Sequence, residues 1–224
     1  ASGVPSTSDE TWRYTSLKGL AKHDFELPAY NDVVVAERSL LGFGTFEAFH
    51  AICIDGRLDN AMSSLDDLPK GLSVLSLDAA LEVHGDAIVS RLGSVASCEE
   101  EAMVALNTAG LRDGVVVHVA RGVVVDKPLH LGCFSSSAGG AAELCQPRVL
   151  VILEEGASLT LFESFCGLGD GTYLNNAVGE ICVGSNASLE HFKIQDEAGG
   201  ATHIQTVVVK QQRDSRYYSF NASL

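Results

Sequence analysis

Gly156-Ala-Ser-Leu-Thr-Leu-Phe-Glu-Ser164 is answered, 30 residues on, by Asn186-Ala-Ser-Leu-Glu-His-Phe-Lys-Ile194. Each segment opens on a residue suited to a tight corner, Gly or Asn, and then alternates apolar and polar side chains. Alternation with period two is the mark of a strand with one face buried. Strand-like runs precede both corners, at residues 148–153 and 177–183, and a third pair follows at 202–210 and 216–220. Ser215 lies 27 residues after Ser188, in a corner of similar composition. The unit is strand, short polar corner, strand, longer loop. Repetition near 30 residues predicts a β-solenoid, in which each unit buries its inner face against the next. On periodicity alone, a row of hairpins in an antiparallel sandwich is the competing architecture. A solenoid also ends on a row of unpaired backbone groups, an edge open to another chain.

Working upstream, Val115-Val-Val-His-Val119 reads as a strand, Arg121-Gly122 as a corner and Val123-Val-Val125 as another strand. Before Gly110 the character changes. Ser97-Cys-Glu-Glu100 has the form of a capping box, with Ser97 capping and Glu100 reaching back. Ala102, Met103 and Leu106 then share a helical face that Gly110 ends. A second helix is expected after Asp78, with Gly85 interrupting it before Ile88, Val89 and Leu92. A short helix is expected at 16–22. Phe46-Glu-Ala-Phe-His-Ala-Ile-Cys-Ile54 reads as a strand that turns at Asp55-Gly56 and returns through Arg57-Leu58. Residues 28–32 and 60–71 read as loops. The organisation is therefore an N-terminal arm and α/β cap over 1–110, then the first coils of a solenoid over 111–224.

Composition narrows the function. The 224 residues carry 29 acidic and 15 basic side chains, a net charge of −14. Nucleic-acid binding needs a basic footprint, so that class is excluded, and electrostatic docking on anionic membrane is disfavoured. Ten of the fourteen charges fall in residues 1–110, which leaves the solenoid half nearer neutrality. Apolar residues make up 46% and aromatics only 7%, which predicts a core of Val, Leu, Ala and Ile. No apolar run is long enough to span a bilayer; the most apolar stretch, 115–125, is broken by His118 and Arg121. The chain starts at Ala1 and stops at Leu224 inside a strand-like pattern, as a C-terminally truncated piece would.

The six cysteines, Cys53, Cys98, Cys133, Cys145, Cys166 and Cys182, show neither CxxC pairs nor zinc-finger spacing. They are expected to be reduced, and mostly buried as small apolar groups. The sequons at Asn186 and Asn221 read as chance matches.

Catalytic motifs are missing. GxxxxGK[ST], HExxH and GxSxG do not occur, and Gly42-Phe-Gly44 lacks the third glycine of a dinucleotide loop. His118 sits in an alternating strand and faces either a lumen or solvent. His191 and His203 flank one corner-loop unit, and with Glu190 they would make a metal site if they met on adjacent coils. Glu154, Glu155 and Glu163 would make a polysaccharide-cleaving groove if they converged; as corner acids they read as a solvated edge. Tyr173, Tyr217, Tyr218, Phe162, Phe165, Phe192 and Phe220 read as core stacking along the coils, with an aromatic ligand platform as the alternative. No catalytic, cofactor-binding or metal-ligating residue is assigned.

Glu10-Thr-Trp-Arg-Tyr-Thr-Ser-Leu-Lys-Gly-Leu20 resembles the opening segment of the SufD branch of the SufB/SufD family. Ala51-Ile-Cys-Ile-Asp-Gly-Arg57, the Gly156 to Ser164 element, Tyr173-Leu-Asn-Asn176, Ala187-Ser-Leu-Glu-His-Phe-Lys-Ile-Gln-Asp196 and His203-Ile204 follow in the family's order. The resemblance implies a mainly β fold, a right-handed parallel β-helix preceded by a small α/β cap. It implies a non-ATPase scaffold subunit that supports iron acquisition and iron–sulfur cluster assembly. The implied partners are a SufB-like paralogue and a SufC-like ATPase, in bacterial cytosol or plastid stroma. It implies no cofactor held by this segment, with iron or an iron–sulfur cluster handled by the complete complex. The family's Cys-Ser-His-Gly element and its main partner surfaces lie in coils beyond this sequence, so no functional residue carries over.

Overall fold

The structure, a computed structural model, describes residues 4–29, 46–99, 101–137 and 140–224. In chain order the strands are β1 (Phe25–Glu26), β2 (Phe49–Ile54), β3 (Arg57–Ser64) and β4 (Leu72–Ser76). Helices α1 (Leu77–His84), α2 (Asp86–Val89) and α3 (Ala102–Ala109) follow. Then come β5 (Val115–Val119), β6 (Leu129–Ser135), β7 (Ala142–Cys145), β8 (Arg148–Leu153) and β9 (Ser158–Gly167). The last four strands are β10 (Tyr173–Val183), β11 (Ser188–Asp196), β12 (Ala201–Gln211) and β13 (Arg216–Ser223).

The strands stack as a β-solenoid of about four turns. Strands β5, β8, β10 and β12 build one parallel wall, and β6, β9, β11 and β13 the other. Parallel pairing excludes the antiparallel sandwich. Corner chemistry sets the stacking. Gly122, Gly156, Asn186 and Asp214 all have positive φ, at 70°, 70°, 58° and 58°. Their spacing places one in each turn's corner, where Gly, Asn and Asp tolerate the left-handed conformation best. Successive corners are tied by backbone bonds from Gly122 N to Glu155 O, Gly156 N to Ser185 O and Asn186 N to Arg213 O. The repeat is 30 residues from Ser158 to Ser188 and 28 from there to Arg216, so Arg216 rather than Ser215 stacks on Ser188.

Inside, the early coils are filled by Val115, Val117, Val119, Leu129, Leu131, Val149, Val151, Leu153, Leu159 and Leu161, each nearly or fully buried. Each such side chain contributes about 1.5–3 kcal/mol by leaving water. Residues from the first half close the N-terminal edges of both walls. The β2–β3 hairpin turns through Asp55 and Gly56, both at positive φ, and β2 pairs in parallel with β6. Strand β4 pairs antiparallel with β5. These additions cover edges that would otherwise template aggregation.

The helices lie on the outer face of the β5–β8–β10 wall. Ser76 caps α1 by accepting from Ala79 N. Leu77, Ala80 and Ile88 pack on Val116, Leu150 and Ile152. Helix α3 sets Met103 against Leu174 and Leu17, and Val104 against Val178. A buried ion pair fastens this layer: Arg148 on β8 donates through Nε and Nη2 to Glu180 on β10. Glu180 also accepts from the backbone N–H of Gly93, Val95 and Ala96, and Arg148 reaches Asn107 and Thr108 of α3.

Several sequence expectations are corrected. Residues 60–64 belong to β3 rather than a loop. Val123 to Val125 form only a single bridge, from Val124 to Ser158. Leu20–Lys22 is one 3-10 turn, with another at Glu10–Trp12, in place of a helix over 16–22. Helix α3 starts at Ala102 without a side-chain cap; Ser97 Oγ instead accepts from Glu99 N. Glu100, the Gly42-Phe-Gly44 run and residues 30–32 lie outside the described residues.

Candidate functional site in the solenoid lumen

Alternation decides which side chains enter the lumen. On β9 the inward row runs Leu159, Leu161, Glu163, Phe165; on β11 it runs Leu189, His191, Lys193. Tyr173 and Asn175 enter from β10, His203 and Gln205 from β12, and Tyr217 from β13. Glu197 joins from the loop between β11 and β12. Beyond Leu161 on β9 and Leu189 on β11, and before Ala177 on β10 and Val207 on β12, the interior therefore turns from apolar to charged.

Two hydrogen-bond chains result. In the first, His191 Nε2 lies 2.9 Å from Glu163 Oε2 and its Nδ1 lies 2.9 Å from Tyr217 Oη. Gln205 Nε2 donates to the same Glu163 oxygen at 3.2 Å. In the second, Lys193 Nζ lies 3.0 Å from His203 Nε2, and His203 Nδ1 lies 2.9 Å from Glu197 Oε1. Asn175 Nδ2 and Tyr173 Oη also donate to Glu197. Phe165 covers the second chain, with the His203 ring centroid at 4.8 Å and Lys193 Nζ at 5.2 Å. The ion-paired side chains of His191, Glu163, His203 and Glu197 are 3–5% exposed.

Electrostatics follow from burial and pairing. Burial alone raises the Glu163 carboxyl, but the charge and hydrogen bond of His191, with Gln205 and Lys193, outweigh it and hold it below the usual carboxylate range. Glu197 is held low in the same way, burial being overcome by His203, Tyr173 and Asn175. Burial lowers Lys193, against the pull of Glu163 and Glu197. Tyr173 is pushed up by burial and by its bond to Glu197. Deeper along the lumen, the Cys53 bond and burial push the Cys133 thiol well up, so it stays protonated. The cluster can hold and relay protons and keep two carboxylates ionised out of water. Among the described residues no three His, Cys, Asp or Glu side chains are placed to hold a metal ion.

The sequence candidates are redistributed. His191 and His203 do enter the lumen, but each binds its own glutamate, and Glu190 points outward beside Thr160. Glu163 is buried inside, whereas Glu154 pairs with His118 and Glu155 with Arg121 at the outer corner, so no three-acid groove forms. His118 faces outward, its ring 4.8 Å from that of His84. Of the seven aromatic candidates, Tyr173, Phe165 and Tyr217 face the interior. Phe162, Phe192 and Phe220 continue an outer ladder from His50 and His130, and Tyr218 packs on Phe192. Phe220 and Tyr218 are half exposed. No disulfide joins any of the six cysteines; Cys53, Cys133, Cys145 and Cys166 are buried. Lys193, Glu197, Asn175 and Gln205 are not among the site candidates the sequence offers. For Lys193 the signal was its place two residues after His191 on the Leu189 face.

Fold and lumen together define a capped β-solenoid with a buried charged network turned inward. The chain belongs to the SufBD family of the SUF iron–sulfur cluster assembly system. Residues 1–131 match the SufBD protein N-terminal region, and residues 134–224 match the SufBD core domain. It is 28% identical to an iron–sulfur cluster assembly SufBD family protein of Synechocystis sp., over 99% of this chain and 50% of that one. It is 28% identical to the chloroplastic protein ABCI7 of Arabidopsis thaliana, over 95% of this chain and 45% of the relative. The iron–sulfur cluster assembly protein SufD of Escherichia coli is also 28% identical, over 87% of this chain and 43% of its own length. The chain thus spans about half the length of these relatives.

Proposed function

We propose that the chain is part of a non-ATPase scaffold subunit in a SufBCD-type complex. It pairs with a SufB-like paralogue, depends on a SufC-like ATPase, and supports iron acquisition and cluster building, with iron and the cluster as cargo. The observation that carries this reading is the match to both SufBD regions in order along one chain. The lumen supports a scaffold role. A buried charged network contributes little net stability over an apolar filling, but it penalises any register that leaves one member unpaired. Six unpaired thiols suit a reducing compartment, bacterial cytosol or plastid stroma. The polysaccharide reading loses its groove, because Glu163 is enclosed.

Complementation tests the proposal. The full-length protein, expressed in a bacterium lacking its own SufD and dependent on the SUF system, restores aconitase activity. Unchanged aconitase deficiency, with the protein present and folded, would refute the role.

A further inference from the structure

A cleft of about 470 Å³ lies where the helical layer meets the solenoid corners, far from the lumen network in chemistry and facing outward. Its floor carries Cys182 and Ile152, and its walls bring in Arg91, Arg121, Lys210 and Gln212. Cys182 and Lys210 sit side by side in register on β10 and β12. Burial pushes the Cys182 thiol up, and Glu180 adds to this, against the downward pull of Arg91 and Lys210.

The charge balance in this cleft is unusual for so acidic a chain. Its two carboxylates are already engaged. Glu154 accepts from His118 Nε2 and from the backbone N–H of Arg121, and Glu155 pairs with the Arg121 guanidinium. Among the described residues, Lys210 has no carboxylate partner, and Arg91 donates through Nη1 only to the Ala87 carbonyl. Gln212 accepts from Ser185 through its oxygen, which leaves its amide N–H groups for another partner. Lys210 without a carboxylate partner, the Arg91 guanidinium bonded only to a carbonyl, the paired Arg121 and an amide donor therefore line one polar cavity. Guanidinium and ammonium groups grouped this way recognise phosphate and carboxylate oxygens.

We propose that this cleft binds a small polyanion, a ligand presenting two phosphate or carboxylate groups. Its volume of about 470 Å³ exceeds what a single phosphate fills, and more than one cation lines it.

The cysteines supply an internally referenced test. Cys98 is exposed and lies outside the cleft, Cys182 is half-buried within it, and the other four are buried. The native chain is alkylated with iodoacetamide at mildly alkaline pH, and both sites are followed by peptide mass spectrometry. Pyrophosphate and citrate are the two probes, each against sodium chloride at matched ionic strength. With a probe at about ten times its Kd, Cys182 alkylation slows about tenfold, and Cys98 is unchanged. Protection by pyrophosphate alone assigns a phosphate ligand; protection by citrate as well assigns polyanions in general. The Arg91→Ala/Lys210→Ala variant, shown folded by an unchanged thermal midpoint, loses the protection. The proposal is overturned if neither probe protects Cys182 beyond the chloride control, if both cysteines slow equally, or if the folded variant stays protected. Should the variant fail to fold, the native arms alone decide.

Discussion

Glu180→Ala removes the acceptor on which the helical layer is fastened. The Glu180 side chain is fully buried, and it takes hydrogen bonds from Gly93, Val95 and Ala96 N–H as well as from Arg148. Gly93 and Val95 lie near enough to the surface for water to replace the carboxylate, whereas Ala96 is buried. The dominant cost is the Arg148 guanidinium, 2% exposed, left without its counter-charge. Breaking a buried pair by removing one partner costs about 3–5 kcal/mol. An orphaned buried N–H at Ala96 adds about 1–3 kcal/mol. A total near 5 kcal/mol corresponds, for a chain of this size, to a fall in Tm of roughly 10–20 °C. Urea unfolding followed by circular dichroism measures it. The Glu180→Leu/Arg148→Met pair is less destabilised than the sum of its single variants by about 2–3 kcal/mol, because no lone charge remains. Arg213→Ala, which breaks the exposed Arg213–Asp214 pair, leaves the midpoint where it was. A Glu180→Ala loss below about 1 kcal/mol would refute the reasoning, since the carboxylate would then not be the anchor.

Stability falls on acidification in two stages. Burial, then the neighbouring His50 charge, lower His130 to about 4, so the unfolded chain binds its proton first and stability drops as pH falls from about 6.5 toward 4. The shift is worth about 3 kcal/mol, and His130→Asn flattens that limb in urea midpoints measured across the range. Below it, the depressed Glu163 and Glu197 carboxyls lose their contribution as pH falls through their folded pKa values, and Glu163→Gln weakens this second stage. At Gly184 an added Cβ would meet Leu153 O, Glu154 C and Glu155 N at 2.8–2.9 Å, all backbone of the preceding coil. Gly184→Ala therefore costs about 1–3 kcal/mol through forced coil separation, read in the same denaturation assay.

The solenoid was legible because its strands obey one local rule. Corner, alternation and spacing at Gly156 and Asn186 are contiguous in sequence, and the boundaries at Arg148–Leu153 agree with the structure residue for residue. Strand β6 is not legible because both its faces are buried and the alternation of Leu129-His-Leu131 stops at Gly132-Cys-Phe134. Strand β7 is short, and Gln146-Pro147 interrupts it before β8, although both pair with β10 as one rung. The site was legible only in part. Glu163 and His191 share faces with Leu161 and Leu189, so the same alternation that defined the strands also sent them inward. The second hydrogen-bond chain could not be read that way. His203, Glu197 and Tyr173 converge through stacking of successive coils, and Arg148 meets Glu180 across 32 residues. Those contacts depend on the 30- and 28-residue repeats, where a one-residue error exchanges inside for outside.

The most direct measurement is co-expression of the full-length protein with the SufB-like and SufC-like subunits, followed by size-exclusion chromatography and native mass spectrometry. One assembly containing all three chains is the expected result. Elution of the folded full-length protein alone, with the two partners assembled without it, would contradict it.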